Sequence, residues 1–238
     1  MCGVAGLLAK TPAARERLGA DLAAMIERLA DRGPDSAGFA LFDETADGAG
    51  AKLTAVAKRV GRPADLIESS GLAAMSGSHA IAHTRMATES RVSTAHSHPF
   101  CPTPELALAH NGSLSNHNEL RRELSRLGVA FETDNDSEVA ARFLAWRLDQ
   151  GDDLDAALAA ALERLDGFFT FLVADADGIV VVRDRFACKP ALVAETDDWV
   201  AIASERAAIS VLPGGEEAAA WEPEPARIYA FTRHGAPA

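Results

Sequence analysis

The chain is short of basic charge: 23 Lys and Arg stand against 35 Asp and Glu, a formal net charge of −12 over 238 residues. No basic stripe gathers in any segment. This argues against a non-specific nucleic-acid or anionic-membrane surface, since either needs clustered Lys and Arg. Long apolar runs are missing too, and Val4 to Ala9 has neither the basic flank nor the length of a signal-peptide core. A cytoplasmic chain with no membrane and no nucleic-acid partner is expected. Cysteine is scarce: Cys2, Cys101 and Cys188 make no even or regularly spaced framework, so no disulfide scaffold is expected, and Cys101 and Cys188 read as inert packing residues. His96, His98 and Cys101 match no common zinc spacing, and no second pair completes a tetrahedron, so no metal is expected. There is also no phosphate-cradling Gly-rich loop, no dinucleotide fingerprint after a strand and no cysteine cluster for an iron–sulfur centre, hence no cofactor.

What is present is an ordinary globular composition, 48% hydrophobic and 24% charged, in a length that buries one large core. The leading residues are Met1-Cys2-Gly3-Val4-Ala5-Gly6. Removal of Met1 would leave a thiol and a free α-amine on the same residue, with ordinary pKa values of about 8.5 and about 7.7–8.0. An N-terminal amine near neutrality can take the thiol proton directly or through a water, so nucleophile and base share one residue. The expected mature unit is then a single domain over 2–238.

After a first strand at Val4–Ala9, Leu18, Leu22, Met25, Ile26 and Leu29 recur at helical spacing, and Gly33-Pro34 ends that helix. Strands follow at Phe39–Phe42 and Leu53–Lys58, with a short helix within 65–70. A strand from Ser78 runs into a loop that lasts to about Thr103. Leu106–His110 is a strand delivered into a turn at Asn111-Gly112. Helices are expected from Ser115 or Asn116 to Leu127, from Ser137 to Gln150 and from Leu154 to Leu165. Short strands at Phe168–Asp175, Ile179–Arg183, Ala191–Ala194 and Trp199–Ala203 read as a meander, and Arg227–Thr232 as a final strand after the Pro-rich Trp221–Pro225. Strands, then helices, then strands imply segregated layers and an α+β class.

Five stretches, in order, carry a resemblance: Met1-Cys2-Gly3-Val4-Ala5-Gly6, Arg32-Gly33-Pro34-Asp35-Ser36-Ala37-Gly38, His83-Thr84-Arg85-Met86-Ala87-Thr88, His110-Asn111-Gly112 and Asp136-Ser137-Glu138. Together they resemble the class II glutamine amidotransferases, the glutaminase branch of the N-terminal nucleophile hydrolases. Arg183-Asp184-Arg185, Lys189-Pro190 and Ala203-Ser204-Glu205 look like the family's later strands. The resemblance implies a four-layer αββα sandwich of two mainly antiparallel sheets. It also implies hydrolysis of glutamine's side-chain amide through a glutamyl thioester on Cys2, with the Asn111 side-chain amide and the Gly112 N–H as oxyanion donors. Arg85 would clamp the substrate carboxylate with help from the Thr88 hydroxyl, and Asp136 would meet the ammonium. Asp134 is a weaker candidate for that last role, and capping of a helix starting at Ser137 is an alternative for Asp136. Arg32 would sit near the nucleophile, either favouring the thiolate or making a surface salt bridge. The histidines are expected to pack or hold loops rather than form a triad. Glu89, whose charge would repel the substrate carboxylate, must point away or be paired.

Thr84 to Ser90, Asn111 to Asn118, Ala187 to Ala191 and Trp221 to Pro225 are similar to the stand-alone amidotransferase subunit of N-methylglutamate synthase and related glutamate-synthase-like systems, although the 43–77 segment is shorter than is common there. The implied partner is a separate synthase polypeptide that accepts ammonia. Two rivals stay open at this point, a stand-alone γ-glutamyl amide hydrolase and a non-catalytic glutamine-sensing subunit.

Overall fold

The structure is a computed structural model and describes residues 1–45, 48, 50–87 and 91–232. In chain order, strand β1 (Gly3–Ala9) leads into helix α1 (Pro12–Arg28), then strands β2 (Ser36–Glu44) and β3 (Ala51–Val60) and helix α2 (Pro63–Ser70). Strands β4 (His79–Arg85), β5 (Phe100–Thr103) and β6 (Leu106–Leu114) precede helices α3 (His117–Arg126), α4 (Asp136–Asp149) and α5 (Leu154–Arg164). Strands β7 (Gly167–Ala174), β8 (Gly178–Arg183), β9 (Leu192–Glu195) and β10 (Trp199–Ala203), helix α6 (Arg206–Ser210), and strands β11 (Ala220–Trp221) and β12 (Ile228–Thr232) complete it.

The strands form two sheets, ordered β11-β9-β10-β1-β4-β2-β3 and β12-β8-β7-β6-β5, with every strand pairing antiparallel. Side-chain alternation sorts the apolar residues into three cores. In β1, Ala5, Leu7 and Ala9 face α1 with Leu18, Leu22 and Ile26, whereas Val4 and Leu8 face the second sheet with Ala109, Leu172 and Val181. In β7, Phe169, Phe171 and Val173 face α3, α4 and α5, and Leu172 and Ala174 face the first sheet. The layers are therefore helix, sheet, sheet, helix, the α+β sandwich that the motifs implied. Because the central strands are covered on both faces, they read in sequence as continuous apolar runs instead of clean alternation.

Several local expectations change. Helix α1 stops at Arg28, and the chain tightens into a 3-10 turn at Ala30–Arg32, which is the element Gly33 closes. The segment expected to be loop up to Thr103 contains β5, and α6 had no periodic signal because it spans only five residues. The Asn111-Gly112 pair is no turn: β6 continues through it to Leu114, paired with β7. Cys188 is exposed rather than a packing residue, and Cys101 is half-buried. Among the described residues no helix is long and apolar enough to cross a membrane.

Helix α1 lies close on the segment before β4. A Cβ at Gly19 would stand 2.1 Å from the Leu72 carbonyl oxygen and 2.5 Å from that of Met75. Gly19→Ala should destabilise the fold by about 2–3 kcal/mol, read as a lower midpoint in urea unfolding at unchanged slope.

Candidate active site

Three strand ends meet at one end of the sandwich. β1 and β4 run antiparallel with Gly3 opposite Thr84, and β2 begins beside the end of β4 with Ser36 opposite Arg85. This brings Cys2, Arg85 and the Arg32–Ser36 turn together, and the turn is locked there by Asp35 N–H donating to the Arg85 carbonyl at 3.0 Å and by Asp35 Oδ2 accepting from Ala87 N–H at 2.8 Å. Cys2 is partly buried, and its Sγ donates to the Met86 carbonyl at 3.5 Å. Its carbonyl oxygen accepts from Arg32 Nε at 3.0 Å and from Asn111 Nδ2 at 3.2 Å. Val4 is clamped in both directions by Ser204, N–H to Oγ at 3.0 Å and carbonyl to Ser204 N–H at 3.0 Å. Burial pushes the Cys2 thiol pKa up, and the positive charges of the chain N-terminus, Arg85 and Lys189 oppose that rise.

Asn111 is 2% exposed and faces Thr170 across the β6–β7 ladder. The Thr170 hydroxyl donates to the Lys189 carbonyl at 2.9 Å, which ties the 184–190 segment to the same end. Gly112 has φ +153, and a Cβ there would fall 1.9 Å from the Phe168 carbonyl oxygen. Glycine is required by the neighbouring backbone rather than by turn chemistry.

Arg85 is 5% exposed and donates from its guanidinium to the Arg91 carbonyl at 3.0 Å. Burial pulls its pKa down, while the negative ends of Cys2, Asp136, Asp35 and Asp134 push it back up. Asp136 occupies the first turn of α4, where Leu114 N–H donates to its Oδ2 at 2.9 Å. The capping alternative falls to its neighbour: Asn135 Oδ1 accepts the Ser137 N–H at 2.9 Å and is the N-cap. Asp134 is drawn outward, with its side chain 81% exposed and 2.6 Å from His96 Nε2, and that bond holds its carboxyl below the usual range. Arg32 reaches the Cys2 carbonyl rather than the thiol, and its charge is paired with Glu205 at 2.5 Å. Thr88 and Glu89 lie outside the described residues.

The histidines hold structure. His83 and His98 are buried between β4, β6 and the loop before β5, with their rings stacked at 4.1 Å, and His110 is buried on the helix side of β6 against Ser137 and Phe171. His98 Nδ1 accepts the His110 N–H at 3.1 Å. Burial, reinforced by the neighbouring His110 and Arg85 charges, lowers the His83 pKa to about 3, and burial likewise drives His98 well below its ordinary value. Among the described residues the hydrogen bonds of Cys2 run to Met86, Arg32 and Asn111, with no histidine among them. Met86 and Lys189 are the residues near the thiol that sequence reasoning missed. Met86 follows Arg85 directly, and Lys189 lies in a segment already noted for its resemblance, so both carried a signal of position but none of contact.

A thiol at the start of a central strand, with charged and amide side chains converging on it from the facing sheet and a helix terminus, defines an N-terminal nucleophile hydrolase-type sandwich. The sequence profile of the "Glutamine amidotransferase domain" family matches residues 83–211. The glutamine amidotransferase-like protein GlxB of Rhizobium meliloti (strain 1021) is 41% identical over 293 aligned residues, covering 96% of this chain and 97% of that protein. The isomerizing glutamine–fructose-6-phosphate aminotransferase of Mycobacterium bovis is 38% identical over 78% of this chain, which spans 29% of that enzyme. Among solved structures, the glutamine phosphoribosylpyrophosphate amidotransferase from B. subtilis superposes with a TM-score of 0.81 at 27% identity, over 98% of this chain and 48% of that one. The chain belongs to the glutamine amidotransferase family, and it is an enzyme of class II.

Two outcomes follow from this geometry. Gly112→Ala adds a Cβ against the β7 backbone at a positive φ and should cost at least about 3 kcal/mol in a denaturant titration. The depressed His83 and His98 bind protons in the unfolded chain before they do in the folded one. Their contribution to stability is therefore intact above about pH 6.5 and is lost as pH falls below it, for His83 down to about 3, at up to about 1.4 kcal/mol per pH unit for each group. Replacing His83 by Gln should flatten the stability–pH curve over that window by one group's share.

Proposed function

We propose that the working enzyme begins at Cys2 and hydrolyses free glutamine through a glutamyl thioester, handing ammonia to a separate synthase polypeptide. The observation that carries this reading is the meeting of Cys2, Asn111, Arg85 and Asp136 at one end of the sandwich, with the Asn111 side-chain amide already against the Cys2 main chain at 3.2 Å. With Met1 in place the α-amine stands one residue away from the thiol, and it bonds the Met86 sulfur at 3.0 Å. Removing Met1 transfers that amine to the residue bearing the thiol.

In the proposed reaction the Cys2 amine accepts the thiol proton as sulfur adds to the side-chain carbonyl of glutamine. Negative charge then grows on the carbonyl oxygen, where the Asn111 Nδ2 hydrogens and the Gly112 N–H donate to it. The proton passes to the departing nitrogen, and ammonia leaves with formation of the thioester. Water attacks the thioester and releases glutamate with regeneration of the thiol. Arg85 holds the substrate carboxylate through paired charge-assisted hydrogen bonds, Thr88 assists, and Asp136 meets the ammonium. Arg32 fixes the nucleophile by gripping its carbonyl. The separate acceptor is supported by the similarity to the N-methylglutamate-synthase-type subunit and by the near-complete reciprocal coverage with the GlxB protein. A cytoplasmic setting suits both thiol and partner.

Cys2→Ala should abolish glutaminase activity, and an electrophilic glutamine analogue should add once to Cys2 of the Met1-free chain by intact mass. Arg85→Ala should raise KM for glutamine by about tenfold or more, and Asn111→Ala should lower kcat by about 10²–10³. Retained activity in Cys2→Ala defeats the proposal, and a preference for γ-glutamyl peptides over glutamine would turn it toward a stand-alone γ-glutamyl hydrolase.

A further inference from the structure

Asp136 is braced from behind. Its Oδ2 accepts the Leu114 N–H at 2.9 Å, and its Oδ1 accepts the Ser137 hydroxyl at 3.1 Å. Ser137 Oγ lies 2.8 Å from His110 Nδ1, whereas His110 Nδ1 and Asp136 Oδ1 are 4.0 Å apart, so the link passes through the hydroxyl. A serine hydroxyl carries a single proton, and an ionised carboxylate can only accept. With that proton committed to Asp136, the remaining contact requires the hydrogen to sit on His110 Nδ1. The direction is then set along the whole line, from imidazole N–H to hydroxyl to carboxylate.

The members of this line have little freedom. Ser137 and His110 are each 2% exposed, and the His110 ring sits edge-on to Phe171 with centroids 5.0 Å apart. The Ser137 N–H is taken by Asn135 Oδ1, which leaves the hydroxyl to serve its neighbour. Among the described residues each carboxylate oxygen of Asp136 thus has one hydrogen-bond donor, which fixes the rotamer while leaving lone pairs for a ligand.

We infer that Ser137 and His110 are positioning residues for the α-ammonium group of the substrate, holding the Asp136 carboxylate aimed so that the enzyme selects an α-amino acid amide over the same amide without its amine. This deepens the proposed function and rests on its assignment of Asp136. His110 directly precedes Asn111 on β6, with the imidazole on the helix side and the amide on the facing side, so one strand carries both the brace and the proposed oxyanion donor.

The test compares Ser137→Thr with Ser137→Val, which match in volume and differ by the hydroxyl, on glutamine and on glutaramate, its deamino analogue. The Val variant should lose about tenfold in kcat/KM for glutamine, through KM with kcat within about twofold, and nothing for glutaramate, while the Thr variant keeps the wild-type ratio. Equal losses on both substrates, or identical Thr and Val variants, would overturn the inference. Asp136→Asn separates the two levels. If it leaves the glutamine-to-glutaramate ratio intact, the Asp136 assignment itself fails; if it collapses the ratio while Thr and Val agree, only the brace fails. Should the Val variant not fold, nitrogen-15 NMR of the unaltered protein decides, with an Nδ1–H tautomer at His110 expected and an Nε2–H tautomer contradicting it.

Discussion

The carbonyl oxygen of Cys2 is held by two donors from different layers, Arg32 Nε from the turn beside the first sheet and Asn111 Nδ2 from the second. Fixing this oxygen fixes the residue that bears the thiol, because Val4 is pinned at the next step by Ser204. The two sheets must therefore sit at one distance and one register for the donors to reach it. That demand is met by the apolar layer between them, in which Val4, Leu8, Ala109, Leu172 and Val181 interlock. Packing density at the centre of the sandwich thus becomes positional accuracy at its edge.

Several polar groups near the site are satisfied by local protein partners. His98 accepts the His110 N–H, Arg85 donates to the Arg91 carbonyl, and the Asp35 carboxylate takes the Ala87 N–H. The depressed pKa of His83 is the cost of placing an imidazole where water does not reach. Neutral imidazoles such as that of His98 contribute shape and hydrogen-bond direction instead of charge.

Much of the architecture was legible in the chain, for reasons tied to particular residues. The run Val4–Ala9 reads as a strand because both of its faces are covered, and the Leu18, Leu22, Met25, Ile26 spacing reads as a helix because one face is. The Asn111-Gly112 pair misleads, since the same dipeptide serves tight turns; here glycine is dictated by the Phe168 carbonyl of the next strand, a contact across 56 residues that no local pattern encodes. Asp134, Asn135 and Asp136 are three successive residues able to cap a helix, and only the fold reveals that the middle one does so. The order of the site motifs could be read from the sequence, but the approach of Lys189 and Met86 to Cys2 could not, because it arises from sheet register.

Strand β1 lies in the interior of its sheet, between β4 and β10, with Ala5 opposite Ala203. On the ribosome, β1 must therefore wait for β10, made much later, before its second edge is paired. Such long-range closure slows folding and keeps the leading edge open through most of translation. The order of synthesis thus leaves the residues just ahead of β1, Cys2 among them, open to solvent until the later strand arrives and closes the sheet beside them.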